Sequence, residues 1–364
     1  MAQPDLSLHH DHLTLKIADD RLRFHYFWLR DNCPGSVSDN GQKKHESNTL
    51  DPKITPVECS HANDELQITW SDGHRSTYPT HFLSHHAYDG SAPHKTNQRL
   101  WTGASLLPLN YHDYEAVRTE PDALKAWLKE VEVYGFGLLK NVPQVERQIF
   151  KVVDLFGYLR NTNYGALFEV RAEEAPVNLA FTPEPLSVHT DNPYRDPCPS
   201  LQLLHCLTQA EQGGISALVD GFNAALQLRD TAPEAFDLLS RQEVCFRYQD
   251  GPVLLEHREA IIRQNSHGQV VKVRINNRSL APLHLPFDAV PQFYEALFAF
   301  RRLLEKEENQ LQFRMEPGHL VLFDNERVLH GRIGHAVGRR HLQGCYADRD
   351  GLLSTLRNLE RRGD

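Results

Sequence analysis

The sequence predicts a mainly β protein with inserted helices, divided into a small β-rich N-terminal domain over residues 1–95 and a larger domain over 96–364. Three observations predict it. Short apolar or alternating runs recur along most of the chain at the length of strands, about four to eight residues. Few stretches carry the period of an amphipathic helix. Between Asp89 and Gly103 a segment rich in Gly, Ser, Pro and Asn interrupts the pattern as a linker would, in a chain of 364 residues that is too long for one ordinary domain.

Taken in order, Leu13 to Ile17 and Leu66 to Trp70 alternate as half-buried strands, separated by Asp, Gly and Ser clusters. Beyond the linker, Pro121 to Val131 has helical spacing with proline at the start, where its missing N–H does no harm. Phe136 to Lys140 reads as a strand, Gln144 to Phe156 as a second helix and Val290 to Glu308 as a third. The stripe Phe293, Leu297, Phe300, Leu303 and Leu304 on that third helix reads as core. Strands are expected at Leu201 to Leu207, Ala217 to Asp220, Val244 to Tyr248, Ile261 to Gln264, Val270 to Ile275, Leu320 to Phe323 and His341 to Tyr346. Many short strands with helices between them suit a double-stranded β-helix, or jelly-roll, core.

Composition narrows the function. A net charge of −9 argues against a nucleic-acid binder or an anionic-membrane binder, whose partners attract basic patches. No apolar run approaches the ~18 residues of a membrane span, and the N-terminus lacks the order of a signal peptide, so a cytoplasmic protein is expected. Six cysteines without a C-x-x-C pair imply reduced thiols rather than a disulfide scaffold or a cysteine-rich cluster.

The chemistry concentrates in an H-x-D pair, His189 and Asp191, with His330 as its distant partner. Side chains two apart on an extended segment share a face. His330, following the apolar run His319 to Phe323, is expected where that strand ends. Two imidazoles and a carboxylate on one face of an octahedral ion form a non-haem Fe(II) triad with open positions for a bidentate 2-oxo acid and dioxygen. A second H-x-D, His9 and Asp11, lies in a polar N-terminal stretch with no third ligand in reach and reads as solvated.

Several ordered motifs then carry a resemblance. They are Trp28 to Cys33, Asn178 to Phe181, His189 to Asp191, Leu201 to Cys206, Gly213 to Ser216, Val219 to Asn223 and Arg340 to Asp348. The chain resembles the γ-butyrobetaine dioxygenase branch of the taurine dioxygenase-like Fe(II)/2-oxoglutarate oxygenases, over most of its length. The resemblance implies a hydroxylase using Fe(II), 2-oxoglutarate and O2, with a jelly-roll catalytic core and a homodimeric assembly. γ-Butyrobetaine to carnitine is its leading substrate assignment. 2-(Trimethylamino)ethylphosphonate and trimethyllysine compete, and an inactive binding or regulatory jelly-roll protein is the alternative from another class.

The distal carboxylate of 2-oxoglutarate calls for a bidentate, always-charged donor, which favours arginine. Arg340, ten residues after His330, matches the family's oxoglutarate arginine, with Arg339 and Arg332 as rivals. Ser216 matches a hydroxyl donor to the same cosubstrate and Leu204 a backbone or packing contact. A trimethylammonium group has no N–H to grip, so aromatic faces must hold it. The matching positions are Tyr164, Phe168, Phe181 and Tyr346, with Phe168 where the branch carries Trp and Phe181 where it carries Tyr. Asn178, Asn276 and Asn277 resemble carboxylate-binding amides. Asn192 stands where the branch has Tyr, and Arg278 adds a cation that would suit a doubly charged anion if it turns inward. The family's N-terminal zinc site matches only at Cys33 and His74, with Gly35 and Ser38 at other cysteine positions. No zinc is expected, because two donors do not close a tetrahedral site.

Overall fold

The computed structural model describes residues 5–88, 97–171 and 184–361. The chain forms two compact units, Met1–Lys95 and Thr96–Asp364. In the first, alternation builds two three-stranded antiparallel sheets, Leu6–Leu8, His12–Ile17 and Asp20–His25, then Pro56–Ala62, Glu65–Trp70 and Arg75–Pro79. Leu13 and Leu15 turn inward from one, Leu66, Ile68 and Trp70 from the other, around Phe24, Leu29 and Tyr78. Cys33 Sγ and His74 Nε2 lie 3.4 Å apart. Nearby, Asp31 ties the following loop by contacts to Ser47 Oγ at 2.6 Å, His45 Nε2 at 3.1 Å and Lys43 Nζ. His9 and Asp11 are exposed, and Asp11 pairs with His12 at 2.7 Å.

The second unit is built on two sheets. A seven-stranded sheet runs in the order Phe168–Arg171, His341–Ala347, Leu201–Thr208, Leu320–Asp324, Phe136–Lys140, Tyr111–Asp113, with Leu159–Arg160 also paired to His341–Ala347. A four-stranded sheet runs Leu186–His189, Val328–Ile333, Ile215–Asp220, Gln310–Phe313. Both faces of the larger sheet are buried, which is why its strands read as continuous apolar runs. Leu201, Leu203, Leu320 and Leu322 face the helices Pro121–Tyr134, Gln148–Val153 and Arg349–Arg361. The alternate residues Val321, Phe323 and Leu342 meet Leu218, Leu311 and Phe313 of the smaller sheet. Residue period two thus divides each strand between a helix-facing core and an interior that can hold a site.

His205, on the central strand Leu201–Thr208, is fully buried, and neither ring nitrogen has a well-formed hydrogen bond among the described residues. Burial pushes its pKa down to about 4, with only a weak offset from the Val142 backbone. Below the unfolded value of 6.5 the unfolded chain takes up a proton that the folded chain refuses. Stability therefore falls as pH drops from 6.5 towards 4, by roughly 3 kcal/mol in all. His205→Leu should flatten the acid limb of a urea-denaturation series across that window. An unchanged pH slope would remove His205 as its cause.

Several expectations are corrected. The helix expected from Gln144 is only Gln148–Val153, because Arg147 before it has φ 64° and breaks the helical path. The third helix is Ala289–Glu305, followed by a 3-10 turn at Glu307–Asn309. His330 does not end the strand that contains Phe323. It lies within its own strand, Val328–Ile333, after a turn, and in the other sheet. Nor are His189 and Asp191 on one extended segment, since the strand stops at His189 and Asp191 sits in the bend beyond. Among the described residues no helix is long and apolar enough to cross a membrane.

Candidate metal centre

Strand pairing brings the ligands together. Leu186–His189 lies antiparallel to Val328–Ile333 with His189 opposite His330, and their ring centroids are 4.4 Å apart. The close approach requires glycine at 331, where a Cβ would stand 2.5 Å from the Leu186 carbonyl oxygen. Asp191 Oδ1 lies 3.3 Å from His189 Nε2, and its Oδ2 lies 3.9 Å from His330 Nε2. One donor atom from each residue falls within 4.8 Å of the others, and this is the one such cluster of three among the described residues.

Protonation suits coordination. Ser187 O accepts from His189 Nδ1 at 2.8 Å, which leaves Nε2 as a lone-pair donor. Burial first, then repulsion from His189, pushes His330 down to about 3, so its imidazole is neutral at ordinary pH. Burial opposes the Asp191 charge, but the neighbouring His189, His330 and Tyr346 outweigh it and hold the carboxyl well below its usual range. The Tyr346 hydroxyl donates to Asp191 Oδ2 at 2.9 Å. Two imidazoles, one carboxylate and a buried His330 Nδ1 with no partner among the described residues fit a divalent non-haem ion.

The backbone of Asp191 is held by a reciprocal amide clamp. Asn325 Oδ1 accepts from Asp191 N at 2.8 Å, while Asn325 Nδ2 donates to Asp191 O at 2.9 Å and Pro199 O at 3.0 Å. Asn325 sits in the turn leading to the His330 strand, so it couples the ligand bend to the ligand hairpin. Buried Arg274 supports the same bend, donating to Pro193 O and Arg195 O at 3.1 Å each while paired with Glu259 at 2.6 Å. Asn325→Asp keeps the shape and loses both donor bonds. Metal affinity, titrated with Mn(II), should fall about 10- to 100-fold, and an unchanged affinity would show the clamp to be irrelevant to coordination.

A cavity of about 70 Å³ opens from the triad. It is lined by His189, Asp191, His330, Arg340, Arg332 and Ser216 together with Leu204, Leu218, Val321 and Phe323. Among the described residues Arg340 has no hydrogen-bond or ion-pair partner. Burial, then Arg332, pushes it down to about 10, so it keeps its charge at neutral pH. Arg339 is exposed and does not line the cavity. Arg332 stands opposite Ser216 in the sheet and donates through Nε and Nη2 to Glu184 O at 3.0 and 2.6 Å.

The remaining sequence candidates divide. Phe168 lines the cavity and its ring lies 5.0 Å from that of Tyr346, seated over Gly344, where a Cβ would meet it at 2.2 Å. Tyr164 joins Tyr194 by a 3.0 Å hydroxyl contact and packs edge-on to Tyr248. Tyr194 and Tyr248, stacked at 5.0 Å, escaped sequence reading because no local period marks them. Asn192 is buried at φ 52°, its Oδ1 accepting from Tyr194 and its Nδ2 unpartnered among the described residues. Asn276 is occupied with Thr190 O and Arg278 N, and Asn277 is exposed. Arg278 is exposed and does not line the cavity, yet desolvation of its head lowers its pKa, while Asp191 pulls it up and His330 and Arg332 feel its charge. Asn178 and Phe181 lie outside the described residues.

Comparison with known proteins agrees with this geometry. Residues 94–346 match the family described as taurine catabolism dioxygenase TauD, TfdA, and residues 6–84 match the gamma-butyrobetaine hydroxylase-like N-terminal family. The chain is 36% identical to gamma-butyrobetaine dioxygenase of Pseudomonas sp. (strain AK-1), over 94% of this chain and 92% of that one. It is 34% identical to the human protein of that name, over 92% and 90%. Trimethyllysine dioxygenase, mitochondrial, of Rattus norvegicus is 32% identical over 96% and 86%.

Proposed function

From the premise that this chain belongs to the TauD, TfdA dioxygenase family, we propose that it hydroxylates a small trimethylammonium zwitterion, γ-butyrobetaine first, using Fe(II), 2-oxoglutarate and O2. The observation that carries this reading is one cavity lined both by three convergent metal donors and by Arg340, which has no hydrogen-bond or ion-pair partner among the described residues. We read its two-sheet frame as a double-stranded β-helix.

Fe(II), held by His189, Asp191 and His330, would supply the coupling of 2-oxoglutarate decarboxylation, to succinate and carbon dioxide, with oxygen insertion into a C–H bond. The chain's own residues bind and orient. Arg340 receives the distal carboxylate with Ser216 beside it, and the apolar walls formed by Leu204, Leu218 and Val321 exclude water along the methylenes. Phe168, Tyr346 and Tyr164 offer ring faces to the trimethylammonium group, with Phe181 as the resemblance implies. Tyr346 also steadies Asp191, so cation binding and metal geometry share one side chain. Arg278 supplies the positive field for the anionic end. That field favours a second reading, 2-(trimethylamino)ethylphosphonate, whose doubly charged anion gains more from it than a carboxylate does.

Succinate release under Fe(II) and 2-oxoglutarate, measured across γ-butyrobetaine, the phosphonate and trimethyllysine, tests the reading. γ-Butyrobetaine should give the highest kcat/KM, and Arg278→Ala should raise its KM about tenfold while leaving the 2-oxoglutarate KM in place. Stimulation by no panel member would defeat the substrate assignment. Loss of 2-oxoglutarate turnover altogether would favour a binding module. The homodimer implied by the resemblance belongs to the same proposal, and light scattering of the purified protein tests it.

A further inference from the structure

Phe168–Arg171 ends the order of the seven-stranded sheet and is bonded along one side, to His341–Ala347. Side chains alternate between the two faces of this pair. Phe168, Val170 and Leu342 line the cavity, while Glu169, His341 and Gln343 fall on the face behind it. There they meet. Glu169 Oε1 accepts from Gln343 Nε2 at 3.0 Å, directly across the ladder, and Glu169 Oε2 lies 2.5 Å from His341 Nε2, on the diagonal. Gln343 is fully buried, and its Oε1 accepts from Arg147 N at 2.7 Å, so the chain of bonds runs on to the residue that precedes the helix Gln148–Val153. An edge strand of four residues has few backbone bonds to resist local opening, so cross-strand side-chain ties decide where its residues stand.

What this strand has to hold is a ring. Phe168 stands opposite Gly344, where a Cβ would come within 2.2 Å of it, and its centroid lies 5.0 Å from that of Tyr346. Gly344 gives the ring room but no side chain to grip it, and the tie to the neighbouring strand is made one residue along, at Glu169. We propose that Glu169, through His341 and Gln343, is a positioning residue for the substrate: the clip fixes the edge strand so that the face of Phe168 meets the trimethylammonium group. This rests on the substrate reading above. The cosubstrate arginine is held independently, because the strand that follows Arg340 is also paired along its other side, to Leu201–Thr208. The clip therefore bears on one ligand of the two.

The test sets the KM for γ-butyrobetaine against the Kd for 2-oxoglutarate, the second measured by calorimetry on the Mn(II)-loaded protein without oxygen. Misplacing a positioning group by an ångström can cost about 100-fold. E169A, which loses both bonds but keeps the backbone ladder, should raise the γ-butyrobetaine KM about tenfold, while the Kd values for Mn(II) and 2-oxoglutarate stay within about twofold, a split that general loosening would not give. E169Q keeps an acceptor for Gln343 and offers a donor to the other tautomer of His341, so it should return the KM to within about threefold of wild type. H341L removes the diagonal bond alone, should raise the KM about threefold, and serves if E169A fails to fold. An unchanged KM in the folded variants, a 2-oxoglutarate Kd that rises as far as the KM, or an E169Q no better than E169A overturns the proposal. Wild-type protein that binds 2-oxoglutarate but is stimulated by no trimethylammonium acid would instead overturn the substrate reading itself.

Discussion

His189→Ala is expected to lower substrate-dependent succinate release by more than about 100-fold, beyond the 10- to 100-fold that loss of an outer hydrogen bond to a metal ligand costs. The imidazole stands at the end of its strand opposite His330, 3.3 Å from Asp191 Oδ1, with Ser187 O fixing its tautomer. Two remaining donors cannot hold the ion in the geometry that leaves adjacent positions open for a chelating acid. Metal affinity should fall with activity. The fold should survive, because the deletion leaves a small polar vacancy at a strand end and one unpaired carbonyl, costing about 1–3 kcal/mol. Asp11→Ala, in the other H-x-D sequence, is the control, exposed and paired with its neighbour His12. Turnover and Mn(II) binding unchanged in His189→Ala would end the metal account.

The largest effect on stability is expected at Asp220 and Arg327. Both are buried, with 1% and 0% exposure. Arg327 reaches Asp220 Oδ1 from Nε at 3.2 Å and Oδ2 from Nη2 at 2.9 Å, and spends its remaining donors on Val133 O and Arg99 O. Asp220 meanwhile caps the helix Gly221–Thr231 through Phe222 N and Asn223 N and accepts from Trp101 N at 3.2 Å. Removing either side chain strands a charge in the interior. Asp220→Ala or Arg327→Met should each cost about 3–5 kcal/mol, a fall in Tm on the order of 10 °C for a domain of this size. The double variant should be destabilised by much less than the sum, because neither charge is then left alone. Additive losses in a thermal double-mutant cycle would show that the pair does not act as a unit.

Much of the candidate site was legible in the chain because metal chemistry restricts residue types. An imidazole, a second imidazole and a carboxylate have few structural reasons to recur between apolar strands. The strand at Leu201 was visible as an unbroken apolar run because its helix-facing side and its interior are both covered. Arg340 was singled out by charge and position, but its lack of a partner among the described residues was not visible. The strand of His330 was missed since Val328 to Ile333 includes Gly331 and Arg332, which weaken a local β pattern. Asn325 was missed because an amide's meaning lies in what faces it.

The sequence by itself determined the chemical alphabet of this protein: two imidazoles and a carboxylate for a metal, an arginine for a dicarboxylate, aromatics for a cation, and the alternating strands that could carry them. Tertiary structure alone decided which of these meet. His189 opposes His330 only through the pairing of strands remote in sequence, and Asn325 clamps Asp191 only across a turn from the other hairpin. The physical reason is range. Period and residue type act within a few positions, whereas strand register and burial are set by contacts among the whole set of strands, and register decides which side chains share an interior.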